Sequence, residues 1–270
     1  MSAELPAWSQ PFRGPDRSRL DRHGPWGRLA REWAFGDGSG RDVSVAIVDS
    51  GVEGAHPALG GRLRASVAVE LRGDDPEVLE VEPTDLVGHG TACAGIVHSL
   101  APEADLLSVR VLGADNRGRG AAFAAGLQWA IRSGARIVNL SLSSRSDAYF
   151  GVLHELADEA YFGNVLLVCA ANNVSIASYP SLFASVVSVA AHDVQDTSVW
   201  FYNPSPPVEI GAHGLDVDVA WRGGGRMAVT GNSFAAPHIA GYAARILGAH
   251  PGLAPFEVKA ILAATADNAR

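Results

Sequence analysis

From residue 43 onward, short apolar runs rich in β-branched residues alternate with stretches whose apolar positions recur every three or four residues. The runs are VSVAIV (43–48), DLLSVRVL (105–112), ARIVNLSL (135–142), VLLVCAA (165–171) and VVSVAA (186–191). Most are apolar nearly throughout instead of at alternate positions, the mark of strands covered on both faces. Between them, AAFAAGLQWAIRSG (121–134) and YFGVLHELADEAYFG (149–163) carry helical spacing. Strands separated by helices predict an α/β domain with a mostly parallel central sheet and helices on both faces. Residues 1–40 are rich in Pro, Gly and Arg, with Trp8, Trp26 and Trp33 spaced among them. They read as an arm packing on one domain spanning 41–270; neither a repeat nor a second domain is visible.

Composition narrows the functional classes. Of 270 residues, 47% are hydrophobic and 19% charged, enough apolar material for a sizeable core. A formal net charge of −8 argues against general binding to nucleic acid or anionic membranes. No apolar run approaches the roughly 18 residues of a membrane span, and the first 20 residues carry Pro and Arg where a signal peptide has its apolar centre. Two cysteines, Cys93 and Cys169, make neither a disulfide framework nor a metal cluster, so reduced thiols and a cytoplasmic setting are expected.

In parallel α/β sheets, chemistry gathers beyond the carboxyl ends of the strands. The first run ends in VAIVDSG, which puts Asp49 just past a buried strand. Alone, an Asp-Ser-Gly reads as a turn cap. VGHGTACAGIV sets His89 between two glycines at the start of a small-residue helix, where the imidazole is unobstructed. The run VLLVCAANN ends in Asn172-Asn173, and TGNSFAAPHIAG sets Ser233 at the junction of a polar stretch and an apolar helix. A serine that merely caps a helix needs no companions, whereas a nucleophile needs a base, an orienting acid and an oxyanion site.

In the order Asp, His, Asn, Ser, and together with IVNLSLSS and ASYPS, these segments resemble the subtilisin-like serine peptidases from about residue 40 to the end. The Cys93 position is similar to that of the cysteine-bearing proteinase K branch. The resemblance implies a three-layer subtilisin-like fold and a serine endopeptidase. In it, Ser233 is the nucleophile, His89 the general base, Asp49 its orienting acid and Asn173 the oxyanion donor. It also implies a peptide substrate bound as an extended strand between Asn116-Arg117-Gly118 and Ser141-Leu142-Ser143, with Ala171 and Asn172 beside the oxyanion residue. By the same route, the Tyr179-Pro180 bond is expected to be cis. Pro237 is expected to be tolerated as part of the first helical turn.

Several positions depart from the family pattern. Asn232 stands where Thr is usual, so it either replaces that auxiliary oxyanion donor with an amide or loses it. Ser143, Ser144 and Asn172 replace pocket glycines, which predicts a narrow P1 pocket for small or slender side chains. Arg117 and Arg119 read either as solvated loop charges or as a preference for acidic residues upstream of the cut. The loop holding the family's strong calcium is missing from GIVHSLAPEADLLSVRVL, where Glu103 and Asp105 offer too few oxygens. No metal or other cofactor is therefore expected, although a weak calcium site elsewhere stays open. The arm is too short for a folded inhibitory pro-domain, and residues before about 20 are expected to lie near the cleft and restrain activity. These features suit an intracellular processing peptidase of limited specificity. The alternative is a peptide-binding pseudopeptidase on the same scaffold; a dinucleotide-binding enzyme is excluded because no Gly-x-Gly-x-x-Gly follows the first strand.

Overall fold

In the computed structural model, residues 6–9, 12–14 and 29–269 are described. Its centre is a nine-stranded sheet in the order β3 (Asp75–Glu80), β2 (Leu63–Arg72), β4 (Asp105–Arg110), β1 (Ser44–Asp49), β5 (Ile137–Leu140), β6 (Leu166–Ala170), β7 (Val187–His192), β9 (Ile210–His213), β8 (Phe201–Tyr202). The five expected runs form β1 (Ser44–Asp49), β4 (Asp105–Arg110), β5 (Ile137–Leu140), β6 (Leu166–Ala170) and β7 (Val187–His192). All of these pair in parallel with their neighbours. A short helix, α1 (Arg31–Phe35), precedes the sheet, and the two helical patterns form α3 (Gly120–Arg132) and α4 (Phe150–Phe162).

Continuity of the apolar runs has a direct cause in the packing. Alternate residues of β1 enter opposite cores, Val45 and Ile47 on one side, Ala46 and Val48 on the other. The first core is closed by α2 (His89–Leu100), α5 (Asn232–Ala249) and α6 (Pro255–Ala264). The second is closed by α3 and α4, through Phe123, Leu127, Leu153 and Leu156. Both faces of the strand are thus dry, giving the three-layer α/β architecture.

Other strands fell outside the sequence reading. β2 (Leu63–Arg72) joins β4 in parallel and pairs antiparallel with β3 (Asp75–Glu80) at the sheet edge. β8 (Phe201–Tyr202) and β9 (Ile210–His213) close the opposite edge. β10 (Val217–Trp221) and β11 (Gly225–Val229) form a separate hairpin. β2, β3 and the β10–β11 hairpin carry exposed positions, so their mixed polarity lacks the apolar continuity of the central strands, while buried β9 and two-residue β8 are too short to show it.

From β1 the chain reaches β4 on one side, then crosses to β5, β6 and β7 on the other. Such a reversal opens a crevice at the carboxyl ends of the strands around it. Asp49 ends β1, Ser141 follows β5 and Ala171 follows β6, all at that same edge.

Candidate active site

At the end of β1, Asp49 is fully buried and meets His89, the first residue of α2. Asp49 Oδ1 and Oδ2 lie 2.8 and 2.9 Å from His89 Nδ1, and Oδ1 also accepts the Ser50 N–H at 2.7 Å. Close approach of the two segments requires Gly90, where an added Cβ would stand 2.0 Å from the Gly51 carbonyl oxygen. Gly88 takes φ 111°, a conformation suited to glycine.

One further carboxylate assembles this corner, and the sequence reading missed it. Asp85 Oδ1 accepts the Ser50 hydroxyl (2.8 Å) and the Val87 and Gly88 amides (2.9 and 2.8 Å), while Oδ2 accepts the Thr91 amide (2.8 Å) and hydroxyl (2.7 Å). It binds the Asp49 loop to the start of α2, satisfying amides that a helix N-terminus leaves without intrahelical partners. An acid four residues before His89 was the available signal.

Burial is the largest influence on the His89 imidazole and opposes ionisation. The Asp49 carboxylate and the adjacent Cys93 sulfur outweigh it and hold the imidazole pKa well above its ordinary value. Cys93, one turn along α2, is itself fully buried, and that burial pushes its thiol up. Asp49, His89 and Cys93 bring potential metal donors within 4.8 Å of one another. Asp49 and His89 are spent on each other and the thiol stays protonated, so the set suits an acid–imidazole pair better than a metal.

Ser233 is the second residue of α5, where the first backbone amides have no intrahelical acceptor. Its hydroxyl donates to the Ser141 carbonyl at 3.1 Å, so a side-chain rotation is needed to present it to His89. Pro237 is the sixth residue of α5, which corrects its placement in the first turn. Having no N–H, it deprives the Ser233 carbonyl of its i+4 donor. The Ser141 hydroxyl takes that place at 2.7 Å, with the Cys93 thiol at 3.6 Å.

Asn173 stands three residues past β6. Its side-chain oxygen accepts the Asn232 N–H at 2.9 Å, which leaves the amide –NH2 available as a donor. Asn232 is fully buried and its side-chain amide is turned away from Ser233, into bonds with Ala7, Ala171, Asn172 and Ala191. Of the two expectations for this residue, the lost auxiliary donor is the one the geometry favours.

These groups border a cleft of about 830 Å³ lined by His89, Asn116, Arg117, Gly118, Ser141, Leu142, Ser143, Ser144, Ala171, Asn172, Asn173 and Ser233. Every anticipated site residue except buried Asp49 reaches it. Asn172 folds its side chain onto the Val174 N–H at 2.9 Å. Two expectations change. Arg119, although at the cleft, is ion-paired to Asp74 at 2.5 Å, whereas Arg145 lines the cleft and was missed. Of the arm residues expected near the cleft, 6–9 and 12–14 do not line it, although the Ala7 N–H donates to the carbonyl of cleft-lining Asn173; residues 1–5, 10, 11 and 15–20 lie outside the described residues. Tyr179-Pro180 is cis.

The α2–β4 connection does not fit a calcium cage. Glu103 is held by Arg41 and Ser39, and Asp105 by Arg62 and Arg64. Carboxylates neutralised by guanidinium groups are poor ligands for a hard cation. Among the described residues, no helix is long and apolar enough to cross a membrane.

The family model described as the subtilase family matches residues 40–270. Subtilisin BL of Lederbergia lenta is 33% identical over 256 residues, covering 90% of this chain and 91% of that protein. Subtilisin DY of Bacillus licheniformis is 30% identical, covering 85% of each chain. Among solved structures, a cold-adapted subtilisin-like serine proteinase superposes with TM-score 0.69 at 25% identity, over 91% of this chain and 89% of that one. A structure described as the S41 psychrophilic protease gives 0.70 at 26%, over 89% and 90%. With a match spanning the entire sheet-and-helix domain and relatives of 30% identity or more along most of their length, the chain belongs to the subtilase family and is a subtilisin-like serine endopeptidase.

Proposed function

We propose that Ser233 attacks the scissile carbonyl of a peptide lying between the 116–118 and 141–143 segments. His89 accepts the hydroxyl proton as the new C–O bond forms, and Asp49 stabilises the resulting imidazolium. Collapse of the tetrahedral intermediate breaks the C–N bond, with His89 returning the proton to the leaving amine. Water then repeats the sequence on the acyl-enzyme and regenerates Ser233. The Asn173 amide and the Ser233 backbone N–H bear on the oxyanion, the latter at a helix start that favours negative charge. The observation carrying this reading is the buried Asp49–His89 contact facing the cleft that holds both Ser233 and Asn173.

The substrate reading is finer. Side chains at Ser143, Ser144 and Asn172, in place of glycines, narrow the pocket beside the oxyanion residue and favour small P1 residues. Arg117 and Arg145 line the cleft without ion-pair partners among the described residues, and support a preference for acidic residues upstream of the cut. Such selectivity suits a processing peptidase of limited specificity. Cys93 and Cys169, both free thiols, suit a cytoplasmic setting.

A fluorophosphonate probe tests the chemistry: labelling should map to Ser233 and vanish in Ser233→Ala. Absence of labelling in folded protein would favour the peptide-binding alternative. A peptide library tests the specificity. The reading predicts Ala or Ser at P1 and acidic upstream residues, with the acidic preference lost in Arg117→Ala/Arg145→Ala. Phe or Tyr as best P1 residue would refute the narrow pocket.

A further inference from the structure

Asn232 and the N-terminal segment are joined in a way that catalysis as described does not use. Every polar atom of the Asn232 side chain is engaged: Oδ1 accepts the Ala191 N–H at 2.8 Å, and Nδ2 donates to the carbonyls of Ala7 and Ala171 at 3.1 Å and of Asn172 at 3.3 Å. Its backbone N–H holds the side-chain oxygen of Asn173. The Ala7 N–H in turn donates to the Asn173 carbonyl at 2.9 Å. Residue 7 is therefore tied to both the residue that orients Asn173 and to Asn173 itself.

An anchor holds the segment in place. Phe12 is fully buried among Ala171, Ala190, Phe201 and Val208. Its ring occupies the space above Gly211, where an added Cβ would come within 2.4 Å of it. Gly14 N–H donates to Asp193 at 3.3 Å. The docked segment touches the Asn173 loop without itself lining the cleft.

We propose that residues 6–9 and 12–14, latched through Asn232, are a positioning element for the oxyanion donor, so that docking the N-terminal segment raises turnover. The physical basis is preorganisation. A donor helps only where its N–H already points at the developing charge, and Asn173 sits on a loop whose backbone is held by Ala7 and whose side chain is held by Asn232. Undocking frees the Asn173 carbonyl and removes one of the three carbonyls shared by the two N–H bonds of the Asn232 amide, which loosens both restraints together. Ground-state binding along the cleft walls is untouched, so the loss falls on kcat and leaves KM in place. This rests on the reading of Asn173 as the oxyanion residue.

The test compares the full chain, a deletion of residues 1–14, Asn173→Ala, and the deletion combined with Asn173→Ala, on one chromogenic peptide. Asn173→Ala should lower kcat by about 100- to 1,000-fold, a range drawn partly from this family. The deletion should lower kcat about tenfold with KM steady, a fraction of that range. A synthetic peptide of residues 1–14 added in trans should restore it. In the Asn173→Ala background the deletion should have no further effect on kcat, which a general structural role would not predict. An unchanged or raised kcat after deletion, or the same loss with and without Asn173, overturns the inference. An unaffected Asn173→Ala overturns instead the reading on which it rests. Should the deleted chain not fold, Phe12→Ala keeps the segment attached while weakening its anchor, and is judged by the same kcat–KM split and the same cycle.

Discussion

Replacing Ser141 by Ala probes the unusual start of α5 directly. Its hydroxyl donates to the Ser233 carbonyl at 2.7 Å, accepts from Asn139 Nδ2 at 3.0 Å and faces the Cys93 thiol at 3.3 Å. Removing it deletes the strong donor to a carbonyl that Pro237 has already deprived of its helical partner, and strands the amide of fully buried Asn139. One lost hydrogen bond is worth about 1 kcal/mol and each stranded buried group about 1–3 kcal/mol, so a loss of about 2–4 kcal/mol is expected. For a chain of this size that corresponds to a fall in Tm of about 5–15 °C. The measurement is made by thermal unfolding in the Ser233→Ala background, where self-digestion is absent and the Ser233 carbonyl is retained. Pro237→Ala supplies a fresh N–H four residues after Ser233, so it should recover about 1–2 kcal/mol in the Ser141→Ala protein relative to its own effect alone. A Tm change under about 2 °C, or strict additivity of the two substitutions, would refute the reasoning.

Three further outcomes follow from the same geometry. The acid limb of kcat/KM should report the free-enzyme His89 and lie above its ordinary value of 6.5, with activity rising through it as the imidazole loses its proton; Asp49→Asn should lower turnover and move the limb down. A wild-type limb below pH 6.5 would contradict the Asp49 contribution. His192 is buried with its pKa pushed down to about 4, first by burial, and His238 likewise to about 3. Their contribution to stability is complete above pH 6.5 and is lost as pH falls, because the unfolded chain takes up protons first. At about 1.4 kcal/mol per pKa unit, His192 alone gives about 3 kcal/mol, and His192→Gln should flatten that part of the denaturation profile between pH 6.5 and 4. Mercuric ion should inactivate the enzyme slowly, since Cys93 is buried against Asp49 and Ser141, and Cys93→Ala should resist where Cys169→Ala does not.

The central strands were legible in the sequence from their pattern, whereas the candidate Asp, His, Asn and Ser positions emerged only from the ordered family resemblance. Strands dry on both faces are apolar at consecutive positions, and the candidate residues lie at or just beyond strand ends or at helix starts. That local signal fades at β2–β3 and β10–β11, where one side meets solvent, and at β8–β9, which are only two and four residues long. It also cannot say which distant groups meet. Asn232 occupies a position where the side chain could have faced the oxyanion, but bonds to Ala7, Ala171, Asn172 and Ala191 hold it elsewhere. Arg119 sits beside the substrate segment, yet Asp74, on the β2–β3 turn, takes its charge. The acceptor that Pro237 leaves open can be inferred from the proline alone, whereas its filling by Ser141 depends on β5 ending next to α5. Periodicity records burial, a property of each segment's own surroundings; pairing is decided by distances of about 3 Å between segments far apart in the chain, and only the folded structure sets those.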